Sequence, residues 1–85
     1  MGYQVSLRPG AERQRRKLNA RIRQRVNEAL LALEDMPHPP GVAKLRGTDR
    51  EWRIRIGDYR IIYEINDDEN QVIVLRITHR RQAYR

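Results

Sequence analysis

Eighty-five residues carry 18 Lys and Arg against 11 Asp and Glu, a formal charge of +7 and a pI near 10.8. That length excludes a large core, and the excess of positive charge points to a polyanionic partner: nucleic acid, an acidic protein or an anionic surface. Cysteine is absent, which excludes disulfides and thiolate metal sites, and no apolar run is long enough for a membrane span.

Tyr3, Val5 and Leu7 alternate with Gln4 and Ser6, the period of a half-buried strand. Pro9-Gly10 is expected to end it. Ala11 to Asn19 reads as a basic helix bearing Arg13, Arg15, Arg16 and Lys17, with a break at Asn19. From Arg21, the apolar set Ile22, Val26, Ala29, Leu30 and Leu33 forms one stripe of an amphipathic helix of about 15 residues. The proline-rich stretch Met36-Pro37-His38-Pro39-Pro40-Gly41 forbids its continuation. Leu31 lies off the stripe and is either the margin of a broad core face or a partner contact.

Val42 to Gly47 reads as a short strand or an extended lead-in. Trp52, Ile54 and Ile56 alternate with Arg53 and Arg55, Gly57-Asp58 is a two-residue turn, and Tyr59, Ile61, Tyr63 and Ile65 then alternate with Arg60, Ile62 and Glu64. An acidic turn, Asn66 to Asn70, leads into a last strand from Val72 to Thr78, with Ile73, Leu75 and Ile77 expected to face the core. The pattern predicts one α+β domain over residues 1–85. A two-helix hairpin packs on one face of a small, mainly antiparallel sheet, in the order β-α-α-β-β-β.

The hairpin register has a chemical consequence. With Gly57-Asp58 as the loop, Arg55 falls directly opposite Arg60 and Arg53 shares their face. Directly opposed like charges destabilise a sheet, so a bound anion is the simplest reason to keep them. Arg76 and, by continued parity, Arg80 are expected on the same face, with Glu64 as the acidic exception. The competing reading is an ordinary solvated sheet face. All basic residues but Lys17 and Lys44 are arginines, whose planar forks hold phosphate bidentately and stack on bases. A generally arginine-rich proteome would produce the same bias.

Lys44-Leu45-Arg46-Gly47, then Trp52-Arg53-Ile54-Arg55-Ile56-Gly57-Asp58-Tyr59-Arg60-Ile61-Ile62-Tyr63-Glu64-Ile65, then His79-Arg80-Arg81-Gln82-Ala83-Tyr84-Arg85 resemble the RelE/ParE toxin superfamily across essentially the whole chain. The resemblance implies a RelE-like fold, the toxin role in a type II toxin–antitoxin pair, and a cognate antitoxin as partner. Its RelE-like branch cleaves mRNA in the ribosomal A site; its ParE-like branch poisons DNA gyrase. Carried over, the nuclease site falls on Arg53, Arg55, Arg60, Arg80 and Tyr84. Further RNA contacts are expected at Arg13, Arg16, Lys17, Lys44, Arg46, Arg76 and Arg81.

The best-studied nucleases of this branch carry lysines where Arg53 and Arg55 stand. Lysine can serve as a base when its pKa is depressed; arginine cannot. The expected chemistry is therefore metal-independent attack of a 2′-OH on the adjacent phosphorus, aligned by the ribosome and stabilised by arginine. No metal and no cofactor are expected. His79 is assigned to the core side, His38 to a loop, and Trp52, Tyr59 and Tyr63 to the core. The opening Met1-Gly2-Tyr3-Gln4 has no signal-peptide pattern, so the chain is expected to be cytoplasmic with no membrane partner. The rival functions are a gyrase-directed toxin without nuclease activity and a non-catalytic nucleic-acid-binding module.

Overall fold

The structure is a computed structural model that describes residues 2–37, 43–44 (backbone only) and 51–79. Its elements are β1 (Gln4–Leu7), α1 (Pro9–Lys17), α2 (Ala20–Asp35), β2 (Ala43–Lys44), β3 (Glu51–Ile56), β4 (Tyr59–Asn66) and β5 (Gln71–His79). The sheet order is β1-β5-β4-β3-β2. β1 runs parallel to β5, and the remaining neighbours are antiparallel. Both helices pack on one face of this sheet, as the sequence pattern predicts.

Pro9 starts α1 rather than merely ending β1. At the first helical position its missing N–H would have had no partner anyway, and its fixed φ suits a helix. Glu12 in the first turn and Arg15, Arg16 and Lys17 in the last turn match the helix dipole. The expected break at Asn19 is a cap: its side-chain oxygen accepts from the Ile22 amide at 3.0 Å. The predicted stripe of α2 is the observed one, with Val26, Leu30 and Leu33 buried and Ile22 and Ala29 partly so. Leu31 is 61 % exposed, so it lies outside the core stripe.

β1 is short but tied on both sides. The Tyr3 amide donates to the Glu34 carbonyl at 2.6 Å, where α2 ends, while Gln4 and Arg8 donate to Asn70 and Val74 of the β5 side. β5 outlasts β1, and the Gln14 side chain of α1 accepts from the Ile77 amide at 2.7 Å, covering an edge that β1 does not reach.

The β3–β4 hairpin has the expected register, with Ile56 opposite Tyr59 and Arg55 opposite Arg60. Gly57 has φ of +58°, a conformation that costs a glycine little. Trp52, Ile54, Ile56, Tyr59, Ile61, Tyr63 and Ile65 all lie with the core.

β5 departs from the expected pattern. Val72 and Val74 are fully buried, whereas Ile73 and Leu75 are only half-buried. The cause is a bulge: Ile62 opposes Arg76 and Tyr63 opposes Val74, which leaves Leu75 without a partner. Side-chain parity flips at that residue. Val72 and Val74 face the helices before it, and Ile77 faces them after it. The expectation is therefore wrong for Ile73 and Leu75 and right for Ile77 and for the outward direction of Arg76.

Candidate nucleic-acid interface

The register builds the face opposite the helices from three transverse rows. Nearest the hairpin turn lie Arg55, Arg60 and Thr78; next come Arg53, Ile62 and Arg76; then Glu51, Glu64 and Ile73. Each row steps about 6.8 Å along the strands, the rise of two antiparallel residues. Four expected arginines, Arg53, Arg55, Arg60 and Arg76, are thereby brought onto one surface by backbone pairing alone.

The four differ in setting. Arg55 is exposed and Arg53 half-buried. Arg60 is only 7 % exposed and is not without interactions. A guanidinium held at such low exposure loses rotamer freedom, and Arg60 is the least exposed of the four. Arg76 reaches across β4 to Glu51, with nitrogen and oxygen 3.4 Å apart. Beneath that bridge, Ile62 is 5 % exposed although it points away from the helices.

Glu51 is the residue that sequence reasoning missed. It stands two residues before Arg53, in the same parity as both β3 arginines, so its place on the face could have been read from the alternation. Its ion pair with Arg76 depends on the β5 bulge, which the alternation does not reveal.

The other expected contacts lie elsewhere. Arg13, Arg16 and Lys17 are exposed on α1, on the helical side of the sheet, and do not converge with the arginine rows. Glu12 takes both Arg15 (2.6 Å) and Arg16 (3.1 Å) as ion-pair partners. The two Arg15 hydrogen bonds, followed by the single one from Arg16, hold the Glu12 carboxyl down at about 2. Arg16 is thus already partnered. Lys44 is described only by its backbone in β2. Arg46, Arg80, Arg81 and Tyr84 lie outside the described residues.

His79 faces the helical side as expected, packed edge-to-face on Tyr59 with ring centroids 5.1 Å apart. Tyr63 donates its hydroxyl to the Pro37 carbonyl at 3.0 Å, and burial pushes its pKa up to about 12. That excludes Tyr63 as a proton-exchanging group near neutrality. Among the described residues, no group of three or more His, Asp or Glu side chains could hold a metal ion. No described helix is long and apolar enough to cross a membrane.

Sheet, helical layer and arginine face together define a class of small basic α+β proteins, and solved members of that class share the whole architecture. The toxin–antitoxin complex RelBE2 from Mycobacterium tuberculosis contains a chain superposing with a TM-score of 0.82 at 31 % identity, over 93 % of this chain and 99 % of that one. The archaeal RelE–RelB complex from Pyrococcus horikoshii OT3 gives 0.84 at 30 % identity, over 94 % and 97 %. In sequence, Toxin RelG of Mycobacterium tuberculosis is 34 % identical over 100 % of this chain and 99 % of its own length. A family model described as ParE toxin of type II toxin–antitoxin system, parDE, matches residues 5–84, and the chain belongs to that family.

Proposed function

We propose that this toxin is a metal-independent endoribonuclease that cleaves mRNA in the ribosomal A site and is restrained by a cognate antitoxin. The observation that carries the reading is the Arg55–Arg60 opposition. The sheet keeps two like charges face to face, one of them buried, on a surface flanked by Arg53 and Arg76. A phosphate bound at this row receives preorganised positive charge from both strands.

In the proposed reaction, the 2′-oxygen attacks the adjacent phosphorus and the bond to the 5′-oxygen breaks. The 2′-hydroxyl proton passes to water, a water molecule returns one to the 5′-oxygen, and the products are a 2′,3′-cyclic phosphate and a 5′-OH. Arg60 stabilises charge growing on the non-bridging oxygens, and Arg55 and Arg53 hold the scissile and neighbouring phosphates. None of these arginines takes up a proton. Their share of catalysis is electrostatic, and alignment for in-line attack falls to the ribosome. By family resemblance, Arg80 and Tyr84 complete the site.

An antitoxin partner is supported by the RelBE2 and archaeal structures, each a complex of toxin with antitoxin. The +7 charge suits an acidic one. A second reading, a gyrase-directed toxin, is favoured by the ParE description of the matching family model. Primer extension on a translated message after brief induction separates them. Wild-type chain should produce cuts inside the reading frame that an Arg80→Ala, Tyr84→Phe double variant does not. Growth arrest with intact messages would overturn the nuclease reading in favour of gyrase.

A further inference from the structure

The open face is charge-separated rather than uniformly basic. Its two arginine rows end abruptly at a third row in which Glu51 stands directly opposite Glu64. This is a second like-charge pair across the same two strands, two rows from Arg55–Arg60. Beyond it the surface stays acidic, with a recess of about 500 Å³ lined by Glu64, Ile65, Asn66, Asp67, Asp68 and Ile73. Glu51 also engages Arg76, the one basic group in the second row that lies on β5. Arg76 remains half exposed while so engaged, with 50 % of its side chain accessible against 23 % for Glu51.

An RNA strand laid along β3 and β4 from the hairpin turn would meet cations for two rows, about 6.8 Å apart, and then a wall of carboxylates. The repulsion falls on phosphate and not on base or sugar, so it limits where the backbone runs. We propose that Glu51 and Glu64 form a carboxylate barrier that ends the phosphate track at the second row, and that Glu51 withholds Arg76 from it. The backbone therefore crosses the face at the hairpin end, on Arg53, Arg55 and Arg60, and leaves the sheet before the β4–β5 turn. This makes Glu51 a specificity-determining residue: it sets how many phosphates the face engages. The inference rests on the proposed RNA-cleaving role of the same face.

The salt dependence of binding counts phosphates directly. For a single strand, the slope of log Kobs against log salt is about −0.7 per phosphate neutralised. The probe is a short fluorescent 2′-O-methyl RNA, which cannot be cleaved, titrated with full-length toxin by anisotropy across a sodium chloride series. Glu51→Gln should bind more tightly and steepen the slope by about 0.7, because Arg76 becomes free to take a phosphate. Glu51→Gln with Arg76→Ala should return to the wild-type slope, and Glu51→Asp should keep it. Thermal melts by circular dichroism identify any variant that has failed to fold. Glu64→Lys then provides a second test, since a cation in the barrier row should also steepen the slope by about 0.7. Unchanged slopes in both Glu51→Gln and Glu64→Lys, while Arg55→Ala flattens the slope, would overturn the barrier alone. If Arg55→Ala also leaves the slope unchanged, RNA does not occupy this face, and both the barrier and the nuclease reading fall.

Discussion

Replacing Arg55 by threonine should stabilise the protein while weakening its activity. Arg55 lies directly opposite Arg60, and the pair is fixed by a continuous register from Glu51–Glu64 to Ile56–Tyr59. Directly opposed residues hold their Cβ atoms about 5 Å apart, and two guanidinium charges carried about 7 Å apart set the scale of the repulsion. At that distance Coulomb's law gives about 0.6 kcal/mol of repulsion with the dielectric constant of water and about 2.4 kcal/mol at an effective value of 20. Arg55 is exposed, so screening keeps the result near the low end, about 0.5–1 kcal/mol. Threonine also suits a strand better than a long charged side chain. A domain of this size should then melt about 2–8 °C higher. The assay is a thermal melt by circular dichroism at low and at molar salt. The gain should shrink at molar salt, where the screening length falls to about 3 Å. RNA cleavage should fall by about a hundredfold, the usual cost of one transition-state donor. An unchanged or lower melting temperature at low salt would show that the opposed arginines carry no repulsive cost, and the argument for an anion between them would fail.

Two further outcomes follow from titrating groups. Tyr63 is neutral and buried, with its pKa raised from 10.0 to about 12, so its contribution is complete below pH 10 and is lost as pH rises towards 12. The loss is on the order of 2–3 kcal/mol, and it should appear as a fall in the urea midpoint that is smaller in Tyr63→Phe. Glu12 titrates in the opposite sense: its carboxyl is lowered from 4.5 to about 2 by Arg15 and Arg16, so its stabilisation is present above pH 4.5 and is lost as pH falls towards 2. Glu12→Gln should flatten the stability profile in that interval, as read by urea unfolding at stepped pH.

Where the sequence was legible, one physical signal dominated. The α2 stripe follows from helical spacing, and the β3–β4 register follows from a two-residue loop placed between two strictly alternating segments. Those two facts alone put Arg53, Arg55 and Arg60 on one face. Elsewhere the signal was local and ambiguous. Pro9-Gly10 stops a strand and starts a helix with equal propriety, and only the chain's return over the sheet decides between them. Asn19 interrupts helical spacing whether it breaks a helix or caps the next one, and the distinction lies in its bond to the Ile22 amide.

The failure at β5 has a deeper cause. Val72-Ile73-Val74-Leu75 is apolar at every position, so alternation carries no information about which side faces the helices. With regular parity the strand has two choices. It can bury Ile73, Leu75 and Ile77 and turn Val72 and Val74 outward, or bury Val72 and Val74 and drive Arg76 into the core. The bulge at Leu75 escapes both. It buries Val72, Val74 and Ile77 together and still delivers Arg76 to the open face. One unpaired residue thus reconciles a packing demand with a charge demand, at the point where the strand passes from the acidic half of the face to the basic half. The ion pair between Glu51 and Arg76 spans that boundary: the β3–β4 register sets Glu51 and Glu64 at the edge of the proposed phosphate track, and the bulge leaves Arg76 on the same face to meet Glu51.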